Sequence, residues 1–290
     1  MFGMWSYINL LIIIHFECST PSIEIPRTHH APGCHPVPYH KLFIAVPHKV
    51  HVENKMERIK TYIERMDERL EGGIPKGTVS LICGTPGCMK SSLAYSILYK
   101  NALENNLKGL YMTLEQEKES LKEQMGTIGL VKETDHLTIV DYKLINSELG
   151  LDKRFDFNPI KKVGYYIDEL IKRSDYDLLV IDPINALYSL AAIKNPRSDI
   201  YQFFSALRKT GITSLVISEM HQGENKFGKY GVEDFLSDAI IHLDFRREKD
   251  ILERYIGVIK MRFTNHNLQY FPLFYNKDRF VIYTKEELEL

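Results

Sequence analysis

The sequence predicts an α/β protein with a mostly parallel, twisted sheet, helices on both faces and antiparallel strands added at one edge. Three observations carry this. Short β-branched runs alternate with amphipathic ones from residue 56 to about residue 219, the order that lays crossover helices over parallel strands. The first well-defined strand runs into a glycine-containing turn that opens a helix. Beyond residue 239 the runs are strand-like with few helical ones between them, as in antiparallel edge strands.

The elements follow in order. Residues 56–70 (MERIKTYIERMDERL) are amphipathic and charged, which predicts a helix. Gly72, Gly73, Pro75 and Gly77 mark a loop. Residues 78–83 (TVSLIC) predict a buried parallel strand. Helices are expected over 90–105, 117–128, 160–173 and 198–210, and strands over 109–114, 137–142, 178–182 and 213–219. Residues 239–246, 254–263 and 280–283 complete the strands. There is no internal repeat and no second complete domain.

Residues 1–55 differ from the rest. They hold seven of the eleven histidines, six of the twelve prolines and the only tryptophan, Trp5. Residues 1–16 are apolar but shorter than the ~20 residues that span a bilayer, and they lack the positive start of a secretory signal. The Pro- and His-rich stretch after them has neither period, so 1–55 is expected to be a disordered or non-native extension ahead of a single domain, 56–290. His29, His30, Cys34, His35 and His40 could be read as a metal site, but nothing supplies the folded frame that zinc needs. Four cysteines without a CxxC pair fit a reducing cytoplasm rather than a disulfide framework. A net charge of −1 argues against a broad nucleic-acid-binding surface.

The chemistry is written first in Gly84-Thr85-Pro86-Gly87-Cys88-Met89-Lys90-Ser91-Ser92. This stretch stands between a predicted strand and a predicted helix, the context a phosphate loop requires. Its glycines let backbone N–H groups surround phosphate oxygens, and the helix N-terminus favours an anion. Lys90 would bring a point charge to the β- and γ-phosphates and Ser91 a hydroxyl to Mg²⁺. The usual pattern is GxxxxGK[ST]. Met89 stands where its second glycine belongs, either crowding the loop or pointing away from it.

Further residues fall where such a loop needs partners. Asp182 ends a buried strand and is placed to hold Mg²⁺, directly or through water; a helix cap is the plainer reading. Glu115 ends another strand and could polarise an attacking water, or simply favour the next helix's N-terminus. Ser218 or Glu219 could sense the γ-phosphate. Lys260 and Arg262 share one face of a late strand and could stabilise phosphate charge, or form a solvated face. The loop over 220–231 carries Lys226, Phe227, Lys229 and Tyr230, a pattern that suits single-stranded nucleic acid.

Assembled in order, these residues resemble the KaiC-like ATPases of the RecA/RadA superfamily. The resemblance runs from Asp67-Glu68-Arg69-Leu70 and Gly72-Gly73-Ile74-Pro75-Lys76-Gly77 through the phosphate loop and Tyr111-Met112-Thr113-Leu114-Glu115. It continues through Val180-Ile181-Asp182 and Gly231-Val232-Glu233-Asp234-Phe235 with Asp238, to Lys260-Met261-Arg262-Phe263-Thr264-Asn265-His266. It implies a RecA-like fold, ATP rather than GTP, a hexameric homo-oligomer with nucleotide between subunits, and Lys260 and Arg262 reaching the neighbour's γ-phosphate. The family's carboxylate pair is held here by Glu115 and Gln116, only the first of which is acidic, so slow or tuned hydrolysis is implied. Three functions follow. The leading one is a Mg²⁺-dependent homo-oligomeric ATPase that couples nucleotide state to its own or a protein partner's conformation. The others are a nucleotide-responsive binding module with negligible turnover and a recombinase-like single-stranded DNA binder.

Overall fold

In the computed structural model the described residues are 56–149, 159–190, 193, 195–221, 223, 226–248, 250–284 and 287. The extension expected over 1–55, with its histidine cluster, lies outside them. The strands are β1 (Arg58–Ile59), β2 (Ile63–Glu64), β3 (Ile74–Pro75), β4 (Val79–Gly84), β5 (Gly109–Thr113), β6 (Leu137–Asp141), β7 (Leu178–Asp182), β8 (Thr213–Glu219), β9 (Ala239–Glu248), β10 (Ile251–Met261), β11 (Tyr270–Asn276) and β12 (Arg279–Ile282). The helices are α1 (Lys90–Glu104), α2 (Lys118–Thr127), α3 (Tyr142–Leu149), α4 (Pro159–Ser174), α5 (Ile184–Leu190), α6 (Pro196–Thr210) and α7 (Glu233–Leu236).

Ten strands form one sheet in the order β2-β12-β11-β10-β9-β4-β8-β7-β5-β6. From β9 to β6 every neighbouring pair is parallel. β4 sits inside this block and is buried along its whole length, which explains its continuous apolar sequence. Alternation along β4 sends Ile82 into one core with residues of α1 and α2. It sends Val79, Leu81 and Cys83 into a second core with residues of α4, α5 and α6. Tyr111 and Phe204 are among the largest fully buried side chains, one in each layer; such burial stabilises by roughly 1.5–3 kcal/mol per apolar side chain.

The predicted alternation of strands and helices stands from β4 to β8, and three expectations change. Residues 56–70 are not a helix. They form β1, β2 and a 3-10 turn over Asp67–Leu70. Ile59, Ile63, Met66 and Leu70 are indeed all buried, at the spacing of a helical stripe. The chain buries them instead by reversing twice, with Tyr62 and Arg65 in left-handed backbone at φ 55° and 71°. The Asp67 carboxylate holds the reversal, accepting from the Thr61 amide at 2.8 Å, the Thr61 hydroxyl at 2.7 Å and the Tyr62 amide at 3.2 Å. Second, the antiparallel edge begins one strand later than expected, because β9 is parallel to β4 and only β10 reverses. Third, β3, within the expected loop over 72–77, and β11, α3, α5 and α7 were not anticipated. β11 contains Pro272, which demotes a run as a strand.

Candidate phosphate-binding site

The carboxyl ends of β4, β5, β7 and β8 lie together, because the register pairs Gly84 with Glu219 and Thr113 with Asp182. Crevices at this end of a parallel sheet are where α/β proteins bind ligands. Gly84 leaves β4 under the backbone of β9. A Cβ there would lie 2.3 Å from the Leu243 carbonyl oxygen, so no side chain fits. Gly87 adopts φ 85° at the loop's crest, a conformation glycine takes without cost. The loop is fastened internally. The Thr85 carbonyl accepts from the Cys88 thiol at 2.8 Å and from Lys90 Nζ at 3.0 Å. The buried Cys88 thus acts as the loop's inner anchor, and Lys90 lies across the loop rather than out in solvent.

Ser91 lies in the first turn of α1, beside the end of β7. The Tyr111 hydroxyl donates to Asp182 Oδ2 at 2.5 Å, and the Ser91 hydroxyl is near enough to both groups to favour their ionised forms. Burial pushes the Asp182 carboxyl up, against the opposing pull of the Tyr111 and Ser91 hydroxyls and the Lys90 charge. Lys90, Ser91 and Asp182 therefore lie close together, and the hydroxyl and carboxylate are oxygen donors of the kind a hard divalent cation takes. Glu115 stands at the mouth just beyond β5. The residue is exposed overall, yet partial desolvation and then the carboxylates of Glu219 and Asp182 push its carboxyl above the ordinary range. Gln116 turns away, its amide donating to Ser120 Oγ at 2.9 Å.

A model of the family described as "ATPase: KaiC" matches residues 59–287. The chain belongs to this KaiC-type ATPase family. A UPF0273 protein of Pyrococcus furiosus is 30% identical over 247 residues, covering 81% of this chain and 97% of its own length. The circadian clock protein KaiC2 of Synechocystis is 26% identical over 220 residues, which span only 37% of that protein. A KaiC-like protein of Pyrococcus horikoshii of solved structure superposes with a TM-score of 0.66 at 26% identity, over 79% of this chain and all of its own. The KaiC-type domain here thus has the RecA-like fold and carries a nucleotide-binding phosphate loop.

Met89 resolves the departure from the glycine pattern. It caps α1 in left-handed backbone at φ 71° and ψ 31°, so the position keeps the conformation a glycine would supply. Its side chain does not point outward; it packs, half-buried, against the core cluster that includes residues of α1. The left-handed geometry costs roughly 1–2 kcal/mol, and the packing offsets part of that. Met89→Gly relieves the strain but loses the packing, whereas Met89→Ala loses the packing and keeps the strain. The glycine variant is therefore expected to melt above the alanine variant by about 2–4 °C, the shift for roughly 1 kcal/mol in a domain of this size. Alanine melting higher would show that the backbone relaxes out of this geometry.

Lys260 and Arg262 do not join this cluster. β10 runs antiparallel to β9, so its end, with Met261 opposite Ala239, lies beside Ser80 at the start of β4. From Ser80 to Gly84 is roughly 13 Å of strand, and the two cations stand at the opposite end of the sheet from their own phosphate loop. Lys260 Nζ donates to the carbonyls of Asp234, Phe235 and Ser237 at 2.9, 3.4 and 2.7 Å. Arg262 Nη1 donates to Asp238 Oδ1 at 2.9 Å. Of the suggested sensors, the Ser218 hydroxyl is buried with no partner among the described residues, and Glu219 is exposed at the mouth.

Three residues near the loop were given no role in the sequence reading. Tyr111 brings its hydroxyl to Asp182, and the polar Thr113 two places later on the same strand face is the only hint of it. Asn185 accepts the Glu219 amide at 2.9 Å and ties β8 to α5. Arg254 lies over the Phe245 ring at 5.6 Å and donates to the Gly87 carbonyl at 3.3 Å. Only the β9–β10 register brings Arg254 and Phe245 together, and no local motif announces it.

Proposed function

We propose that the protein is a Mg²⁺-dependent ATP hydrolase that works as a homo-oligomer and couples nucleotide state to conformational change. The observation that carries this is the convergence of Lys90, Ser91 and Asp182 at the phosphate loop, with Glu115 at its mouth. In this mechanism the loop amides from 85 to 92 and the α1 N-terminus cradle the phosphates, and Lys90 leaves the Thr85 carbonyl for the β- and γ-phosphate oxygens. Ser91 and Asp182 would hold Mg²⁺, which when bound would supply positive charge against the developing phosphate charge, and Tyr111 orients the Asp182 carboxylate. Glu115 orients the attacking water and draws off its proton. Lys260 and Arg262 stand too far from their own loop to take part, so they serve the site of an adjoining copy. Specific ATP turnover with Mg²⁺ is therefore expected to rise steeply with protein concentration. A rate per subunit that is constant from dilute to concentrated solution would refute shared sites.

A second reading, a nucleotide-responsive binding module with little turnover, is favoured by one observation. Gln116, where the family carries a second acid, faces Ser120 rather than the mouth of the loop.

A further inference from the structure

We infer that Arg208 and Asp238 form a mount that positions Arg262 toward an anion carried by a neighbouring copy of this chain. The inference rests on the proposal that Arg262 acts between subunits, and it assigns a role to a residue of α6 that no sequence motif includes.

The Asp238 side chain is only 7% exposed, and its acceptors are used on every side. Oδ2 takes the Val79 amide at 3.0 Å and Arg208 Nε at 2.7 Å, and Oδ1 takes Arg262 Nη1 at 2.9 Å. The fork of Arg208 also donates through Nη2 to the Leu236 carbonyl, which fixes the carboxylate and the end of α7 as one piece. The Arg262 amide donates to the Asp238 carbonyl at 2.9 Å, so its backbone is held by the same residue. One guanidinium suffices to compensate a buried carboxylate. Here two share it, and the three donors of Lys260 are taken up by carbonyls one to four positions before Asp238. Positive charge is thus in excess at this spot. Arg208 is mostly covered, at 28% exposure, whereas Arg262 is half exposed, at 50%. The covered arginine braces the carboxylate. The exposed one is gripped by a single Nη and presents the rest of its planar fork outward, the geometry that suits a phosphate. Arg208 is a positioning residue in this scheme, and Arg262 delivers the charge.

The test is a double-mutant cycle on the full chain. Arg262→Ala is expected to lower kcat by at least about 10²-fold. Arg208→Ala should lower kcat by about 10-fold with the Kd for ATP unchanged, and Arg208→Lys, which keeps the charge but not the fork, should fall between it and the parent. In the Arg262→Ala background, Arg208→Ala should change kcat by less than about twofold, because its effect runs through Arg262. Equal losses in both backgrounds would make Arg208 a purely structural residue and overturn the mount, as would an Arg262→Ala protein as active as the parent. Should the parent show no turnover above a Lys90→Ala control, the hydrolase proposal fails by itself. The same cycle, read on the protein concentration at which ATP-driven assembly is half complete, then decides the mount by the same criteria. The lysine variant and the ATP Kd report on folding, so a collapsed Arg208→Ala protein does not end the experiment.

Discussion

Replacing Lys90 with alanine is expected to reduce ATP turnover by about 10³-fold, the order lost when a preorganised donor to developing charge is removed, and to weaken ATP binding as well. Lys90 already lies over the loop, on the Thr85 carbonyl at 3.0 Å, so its ammonium moves little to meet a phosphate. The variant should still fold. The Thr85 carbonyl keeps the Cys88 thiol at 2.8 Å, and the α1 backbone still begins at Met89, whose carbonyl accepts the Leu93 amide at 2.9 Å. The measurement pairs steady-state turnover with isothermal titration of ATP and a thermal melt. A folded variant that keeps turnover within tenfold of the parent would move the chemistry away from this loop.

Glu115→Gln should separate binding from chemistry. The carboxyl lies at the mouth, beyond the cluster proposed to hold nucleotide, so the Kd for ATP should stay within about twofold while kcat falls by about 10²-fold or more, the range that general-base assistance supplies. The pH profile gives an independent sign. Glu115 must be ionised to accept a proton. Desolvation and the carboxylates of Glu219 and Asp182 raise its pKa above the ordinary 4.5. The parent's kcat should therefore fall, as the pH drops, at a higher pH than an isolated glutamate would impose, and this acid limb should be missing from the variant. Equal turnover by variant and parent would take Glu115 out of the mechanism and favour the binding-module reading.

What the sequence made legible follows from how local each signal is. The strands β4, β5, β7 and β8 and the turn between β4 and α1 are written in contiguous residues, and their carboxyl-end acids Asp182 and Glu115 came with them. Residues 56–70 misled because Ile59, Ile63, Met66 and Leu70 are buried in a helix-like period by a chain that is not a helix; the left-handed Tyr62 and Arg65 carry no compositional mark. Met89 looked like damage to a motif, yet its backbone keeps the required conformation and its thioether finds a core. Lys260 and Arg262 were expected on one face of a strand, yet Arg262 lies just past the end of β10, and strand alternation is silent about which end of the sheet the two reach. Arg208, Arg254 and Tyr111 enter the picture through register and helix packing, which pair residues tens of positions apart.

The separation of the phosphate loop from Lys260 and Arg262, at opposite ends of β4, gives each subunit a direction. Under the proposed sharing of sites, one end receives and the other end donates, so contact between like ends completes nothing. Head-to-tail stacking is the arrangement that serves them. An open row built this way always carries one incomplete loop at its leading end and one idle pair of cations at its tail. Closing the row removes both defects in a single event, so the last subunit to join would complete two sites where each earlier one completed one.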